Sequence, residues 1–176
     1  MMTKTNNMVS RAIVFATFYH NGQMRKFGVD EPYIFHPLRV MMKMDTDVER
    51  VVAVLHDVLE DTEATVEDIQ REFPLGHPDH DDIYNALLAI TRLDDEVYAD
   101  YIDRVIKYPL AVRVKREDVT DNMNSGGPEL PQSLLRRWEK TLQKLDREYF
   151  GNNYRPGDDQ FPSRQLKFRI DGRRPF

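Results

Sequence analysis

Apolar side chains recur three and four residues apart from Met8 to Tyr149, and no stretch alternates apolar and polar residues with a period of two. A helix gathers residues at that spacing onto one face, whereas a half-buried strand needs alternation, so the pattern predicts an all-α fold. Asn21-Gly22, a candidate hairpin turn, follows a helical stripe instead: Met8, Ala12, Phe15, Ala16 and Tyr19, with Gly22 placed to end it. Pro37 suits the first turn of a short helix from His36 to about Met44. Thr46 with Glu49 makes a capping box for a helix whose inward face is Val48, Val51, Val52 and Leu55, and Thr65 with Asp68 repeats the device ahead of Val66, Ile69 and Phe73. Further stripes are Ile83, Ala86, Leu87 and Ile90, then Tyr98, Tyr101, Ile102, Val105 and Ile106, ended by Pro109. Leu135, Trp138, Leu142, Leu145 and Tyr149 form the cleanest helical seam. Gln23 to Tyr33 reads as a loop broken by Gly28 and Pro32, and Asn124 to Pro128 as a linker.

A chain of 176 residues is long enough for one domain with a sizeable core. The expected division is a helical bundle over 1–150 and an irregular arm over 151–176. The arm carries six Lys/Arg (Arg155, Arg164, Lys167, Arg169, Arg173, Arg174) against Asp158, Asp159 and Asp171, a local +3; with a total of −5, residues 1–150 hold −8. An acidic body argues against a broad nucleic-acid surface, though not against a small phosphorylated ligand held by a metal and a few basic side chains. No run of about 20 apolar residues is present, so no membrane span is expected. The first residues lack the apolar core of a signal peptide. Cys is absent, which excludes disulfides and thiolate metal sites. The expected location is the cytoplasm.

The densest chemistry is His56-Asp57-Val58-Leu59-Glu60-Asp61-Thr62, directly after the apolar run Val51 to Leu55. On a helix His56 and Glu60 share a face, as do Asp57 and Asp61. Such a face supplies an imidazole nitrogen and carboxylate oxygens, a donor set that divalent transition metals accept. The plain alternative is a helix end with solvated charges, although carboxylates at a helix C-terminus need a reason to be there.

Three separated pieces carry a resemblance: His20-Asn21-Gly22-Gln23-Met24-Arg25-Lys26, Pro32-Tyr33-Ile34-Phe35-His36-Pro37, and the His56 to Thr62 run; Tyr98 to Ile102 and Val114 to Met123 add to it. Over roughly residues 8–150 the chain resembles the HD-domain metal-dependent phosphohydrolases, and among them the hydrolase domain of the RelA/SpoT enzymes and the small alarmone hydrolases. The resemblance implies a single HD-domain helical bundle and a divalent metal, mostly manganese in that family, with His36, His56, Asp57 and Asp118 as ligands. Such an ion would lower the pKa of a bound water and polarise a phosphorus oxygen. Glu60 and Asp61 resemble the acids that orient the attacking water and shuttle its proton; two such acids should titrate as a coupled pair, one raised. Arg25, Lys26 and Asn122 resemble nucleotide-holding residues. His20 is read as structural, Tyr98 and Tyr101 as core, and His77 and His80 as solvated loop histidines.

One departure stands out. Around its distant Asp the family usually shows Val-Lys-Leu-Ala-Asp, whereas this chain has Arg116 and Glu117 before Asp118, and Asp121 where many relatives carry His. Glu117 or Asp121 would be the fourth ligand if the helix were rotated. The resemblance implies hydrolysis of the 3′-pyrophosphate of guanosine tetra- or pentaphosphate, a small guanine nucleotide being the partner; oligomeric state is open. The alternatives are another nucleotide phosphate as substrate, or a non-catalytic nucleotide-binding module.

Overall fold

The computed structural model describes residues 4–28, 30–73 and 79–150. The arm at 151–176, with Arg169, Arg173 and Arg174, and the histidine His77 therefore lie outside the described residues. Among those described, the order is α1 (Lys4–Tyr19), α2 (Phe35–Met41), α3 (Asp47–Leu55), α4 (Val58–Asp61), α5 (Val66–Glu72), α6 (His80–Ile90), α7 (Tyr98–Ile106), α8 (Pro109–Ser125) and α9 (Gln132–Leu145), with a π-helical turn at Asp146–Phe150. No strand forms among the described residues, and an isolated antiparallel bridge between Met24 and Pro32 pins the loop after α1. The expected all-α bundle is what the chain adopts.

The bundle is organised around α3 and α8. Helix α3 packs against α1, α2, α6 and α8, while α8 also meets α7 and α9. Val51, Val52, Ala53, Val54 and Leu55 are all fully buried, so α3 is covered all round rather than on one stripe, as a central helix must be. Val48, expected inside, is only half-buried at the rim of the core. Each buried Val or Leu there contributes about 1.5–3 kcal/mol over exposure, which makes the end of α3 a firm platform. Its start is equally defined: Thr46 Oγ1 accepts from Glu49 N–H and the Glu49 carboxylate accepts from Thr46 N–H. The reciprocal pair of Thr65 and Asp68 opens α5 in the same way.

Several boundaries differ from the sequence expectation. The helix carrying His36 starts at Phe35 and ends at Met41, so Pro37 stands third in its first turn, where its missing N–H still costs nothing. His80 opens α6 rather than lying in a loop. Helix α8 runs to Ser125, two residues into the expected linker, and Pro109 is its first residue. Gly22 does end the first helix, with φ +80.

The most consequential difference is at the densest motif. Residues 47–61 are not one helix: α3 stops at Leu55, His56-Asp57 form a turn, and Val58–Asp61 start a separate helix for which Asp57 is the cap residue. Asp57 therefore opens a short helix, and Glu60 and Asp61 stand in its single turn instead of at the end of a long helix, whose summed dipole would oppose them more strongly.

Candidate functional site

Helices α2, α3 and α8 meet at the end of α3, and each brings charged or imidazole side chains to that meeting point. His36 on α2, His56 after α3 and Asp118 on α8 are buried to within 2% of full cover, and one ligand atom from each lies within 4.8 Å of the others. Four atoms converge: His36 Nε2 is 3.1 Å from Asp118 Oδ1 and 3.4 Å from Asp57 Oδ2, while His56 Nε2 is 3.0 Å from Asp57 Oδ2 and 3.5 Å from Asp118 Oδ1. Ligands about 2.1 Å from a common centre stand roughly 3.0–3.4 Å apart along the edges of an octahedron or tetrahedron. The separations fit a divalent cation.

The opposite nitrogens explain why the lone pairs face inward. His56 Nδ1 donates to Ala53 O at 2.7 Å, which satisfies a carbonyl left open by the end of α3 and fixes the tautomer. His36 Nδ1 donates to Asp121 Oδ2 at 2.7 Å. With both Nδ1–H groups committed, Nε2 is the nitrogen each ring turns toward Asp57 and Asp118: His36 Nε2 is bonded to Asp118 Oδ1, whereas buried His56 Nε2 makes no hydrogen bond. An orphaned buried nitrogen among carboxylate oxygens is what a metal ligand looks like before its ion.

Asp118 is held from two sides, by Lys115 Nζ on Oδ2 at 2.7 Å and by Asn122 Nδ2 on Oδ1 at 2.6 Å. The two rivals for its place point elsewhere: Glu117 pairs with Arg116, and Asp121 lies behind His36, against Nδ1 and Arg39. Lys115, three residues before Asp118, was detectable as an (i, i+3) ion pair.

Burial alone would push both imidazoles down, but the surrounding carboxylates win. Hydrogen bonds with Asp118, Asp121 and Asp57 hold His36 well above the usual imidazole range, and Asp57 with Asp118 lift His56 to about 9. Against the same burial, His56 and His36 hold Asp57, and Lys115 with the two histidines holds Asp118, well below the usual carboxylate range. The carboxylates favour positive charge at this point, which protons on the imidazoles or a dication in their place would supply.

The acids that the sequence paired sit at the mouth. Tyr33 O–H lies 2.6 Å from Asp57 Oδ2 and 2.8 Å from Asp61 Oδ2. Glu60 takes a different direction, accepting from Arg92 N–H at 3.0 Å, and desolvation by its neighbours pushes its carboxyl up against the opposing pull of that bond and Lys115. Arg25 crosses to α8, where Nη2 donates to Asn122 Oδ1 at 2.8 Å and Ser125 Oγ at 3.3 Å, and its guanidinium lies 5.8 Å from the Tyr33 ring centroid. Lys26 is exposed in the same loop. Tyr33 was the hub missed in the sequence, although it precedes His36 by one helical turn.

The remaining aromatic and histidine expectations resolve plainly. His20 is buried, its ring 4.8 Å from that of Tyr33 and Nδ1 2.8 Å from Gln23 Oε1. Tyr101 is core, its O–H donating to Ile90 O, while Tyr98 is half-buried.

No protein-family model matches the chain. It is 46% identical over 69 residues to the guanosine-3′,5′-bis(diphosphate) 3′-pyrophosphohydrolase of Aquifex aeolicus (strain VF5), covering 37% of this chain and 10% of that protein. A longer match, 29% identical over 148 residues, covers 76% of this chain and 20% of the bifunctional (p)ppGpp synthase/hydrolase SpoT of Escherichia coli (strain K12). The chain thus spans between 10% and 20% of the length of these curated relatives. Among solved structures, a metazoan ortholog of SpoT that hydrolyzes ppGpp superposes with a TM-score of 0.65 at 22% identity, over 85% of this chain and 89% of that one. At that identity the likeness is one of fold.

Proposed function

We propose that this chain, an HD-domain relative of the RelA/SpoT enzymes, hydrolyses the 3′-pyrophosphate of guanosine tetra- or pentaphosphate, giving pyrophosphate and GDP or GTP. His36, His56, Asp57 and Asp118 would hold a divalent cation, and manganese suits their mixed nitrogen and oxygen donors. The observation that supports this most is the convergence of those four atoms, His56 Nε2 among them without a hydrogen bond, with both Nδ1–H groups engaged behind the site.

A divalent cation held there would supply positive charge to polarise a phosphorus–oxygen bond and to lower the pKa of a water. The chain's own residues do the rest. Asp61, held by Tyr33, and Glu60, held by Arg92 N–H, would orient the attacking water. The raised Glu60 carboxyl suits a group that takes a proton from that water and returns one to the departing 3′ oxygen. Arg25, resting over Tyr33 and anchored to Asn122 and Ser125, would stack a guanidinium face on a purine or grip phosphate with its N–H edge. Lys26 adds charge at the rim.

The test is a product panel with manganese: 3′-pyrophosphorylated guanosine nucleotides, 3′-phosphorylated cofactors and deoxynucleoside monophosphates. Pyrophosphate released only from the first class is expected. Orthophosphate from the others would move the activity to a different nucleotide phosphate, and tight binding without any product would make the chain a sensor.

A further inference from the structure

We propose that Asp121 is a positioning residue for the cation site: it fixes His36 with Nε2 turned toward Asp57 and Asp118, and Arg39 fixes Asp121. This rests on the reading above that His36, His56, Asp57 and Asp118 hold a divalent cation. His36 is fully buried, so its ring orientation is set by what it touches. The edges of its ring meet Tyr33 and His56, with centroids 5.9 and 5.2 Å away, and neither contact selects which nitrogen carries the proton. The 2.7 Å contact of Nδ1 with Asp121 Oδ2 is shorter than the 3.1 Å contact of Nε2 with Asp118 Oδ1, and because a carboxylate accepts only from an N–H it keeps the proton on Nδ1 when a cation takes Nε2.

Asp121 is itself gripped at two points. Arg39 Nε donates to Oδ1 at 2.7 Å and Nη2 to Oδ2 at 3.0 Å, a fork that sets both position and plane. Arg39 Nη1 reaches Glu31, whose carbonyl accepts from Arg25 N–H at 3.1 Å. Ser125 Oγ donates to Asp121 O at 2.6 Å and also receives Arg25 Nη2. One acid on α8 therefore braces a cation ligand on α2 and is tied to the loop that carries Arg25. A carboxylate behind an imidazole also makes the opposite nitrogen a stronger donor, and losing such a partner typically weakens metal affinity about 10- to 100-fold. Where many relatives carry His, this chain places an anion against His36 Nδ1.

Manganese affinity is measured by calorimetry for the wild type, Asp121→Asn and Asp121→Ala, together with melting temperature and initial rates over a range of manganese. Asp121→Ala is expected to weaken manganese binding about 10- to 100-fold. Asp121→Asn, which keeps an acceptor for Nδ1–H but not the charge, falls between. Excess manganese should restore most of kcat in both, with KM for the nucleotide unchanged. A lower melting temperature with manganese affinity within twofold of wild type would make Asp121 a purely structural ion pair and overturn the proposal. If Asp121→Ala does not fold, the same criterion applied to Asp121→Asn decides. Failure of the wild type to bind manganese overturns the site reading and this proposal together, whereas wild-type binding and turnover with unaltered variants overturns this proposal alone.

Discussion

Removing one oxygen atom at Tyr33 tests whether the mouth of the site is preorganised. Its hydroxyl is 2.6 Å from Asp57 Oδ2 and 2.8 Å from Asp61 Oδ2, so a single proton lies between a proposed ligand and a proposed water-orienting acid. Burial, followed by the two carboxylates, pushes the phenol far above its usual range, and it stays a donor at every working pH. Tyr33→Phe keeps the ring between His20 and Arg25 and deletes only that donor. A hydrogen bond to a charged group contributes about 1.5–3 kcal/mol. If Asp61 is correctly placed only while that bond exists, the loss appears in the barrier, where about 1.4 kcal/mol is tenfold. The expected result is a kcat reduced about 10- to 100-fold, with KM within about threefold because Arg25 and Asn122 are untouched. Pyrophosphate release at saturating nucleotide and manganese gives the rates, and circular dichroism checks the fold. A variant with kcat within twofold of wild type would show that Asp61 needs no brace.

Gly28 sits at φ +90 with Ser125 O only 1.6 Å from where a Cβ would be. Gly28→Ala should therefore push the Arg25 loop off α8, raising KM at least severalfold with the helical circular dichroism retained. In Glu96, hydrogen bonds from Arg104 at 3.0 and 2.6 Å come first among the causes that hold the carboxyl below its usual value of 4.5. A lowered acid adds stability above the unfolded value and loses it as pH falls toward the folded one. Urea titrations should show Glu96→Gln less stable than wild type by about 1–2 kcal/mol at pH 7, with the gap closing below pH 4.5. Leu55 is fully buried beside His56; Leu55→Ala should cost about 3–5 kcal/mol, or roughly 5–20 °C in melting temperature.

Features set by near neighbours were legible in the sequence. Both capping boxes form as read, because each needs only residues three apart. The stripe of α6 buries as expected at Ile83, Ala86, Leu87 and Ile90, and that of α7 at Tyr101, Ile102 and Val105, while Tyr98 and Ile106 stay half-buried at its edges. The break at His56-Asp57 was not legible, since Val51 to Asp61 contains no Gly or Pro. It comes from tertiary pulls: His56 Nδ1 on Ala53 O, and Asp57 drawn to Tyr33 and the two imidazoles. For the same reason the faces shared by His56 with Glu60 and by Asp57 with Asp61 do not arise from one continuous helix. The choice among Glu117, Asp118 and Asp121 also needed three dimensions, because rotation of α8 depends on what Lys115, Arg116 and Asp121 find across the bundle: the Tyr101 ring, Asp146 and Arg39. The link of Arg25 to Asn122 joins residues 97 positions apart and left no mark in the sequence beyond the resemblance.

On the reading proposed above, one divalent ion sits among His36, His56, Asp57 and Asp118. Anomalous diffraction at the manganese edge, from crystals grown with manganese, tests it most directly. The expected map holds one strong peak in contact with His36 Nε2, His56 Nε2, Asp57 Oδ2 and Asp118 Oδ1, and none in crystals of His56→Ala. A map without that peak, or with Asp118 turned away from it, would contradict the claim.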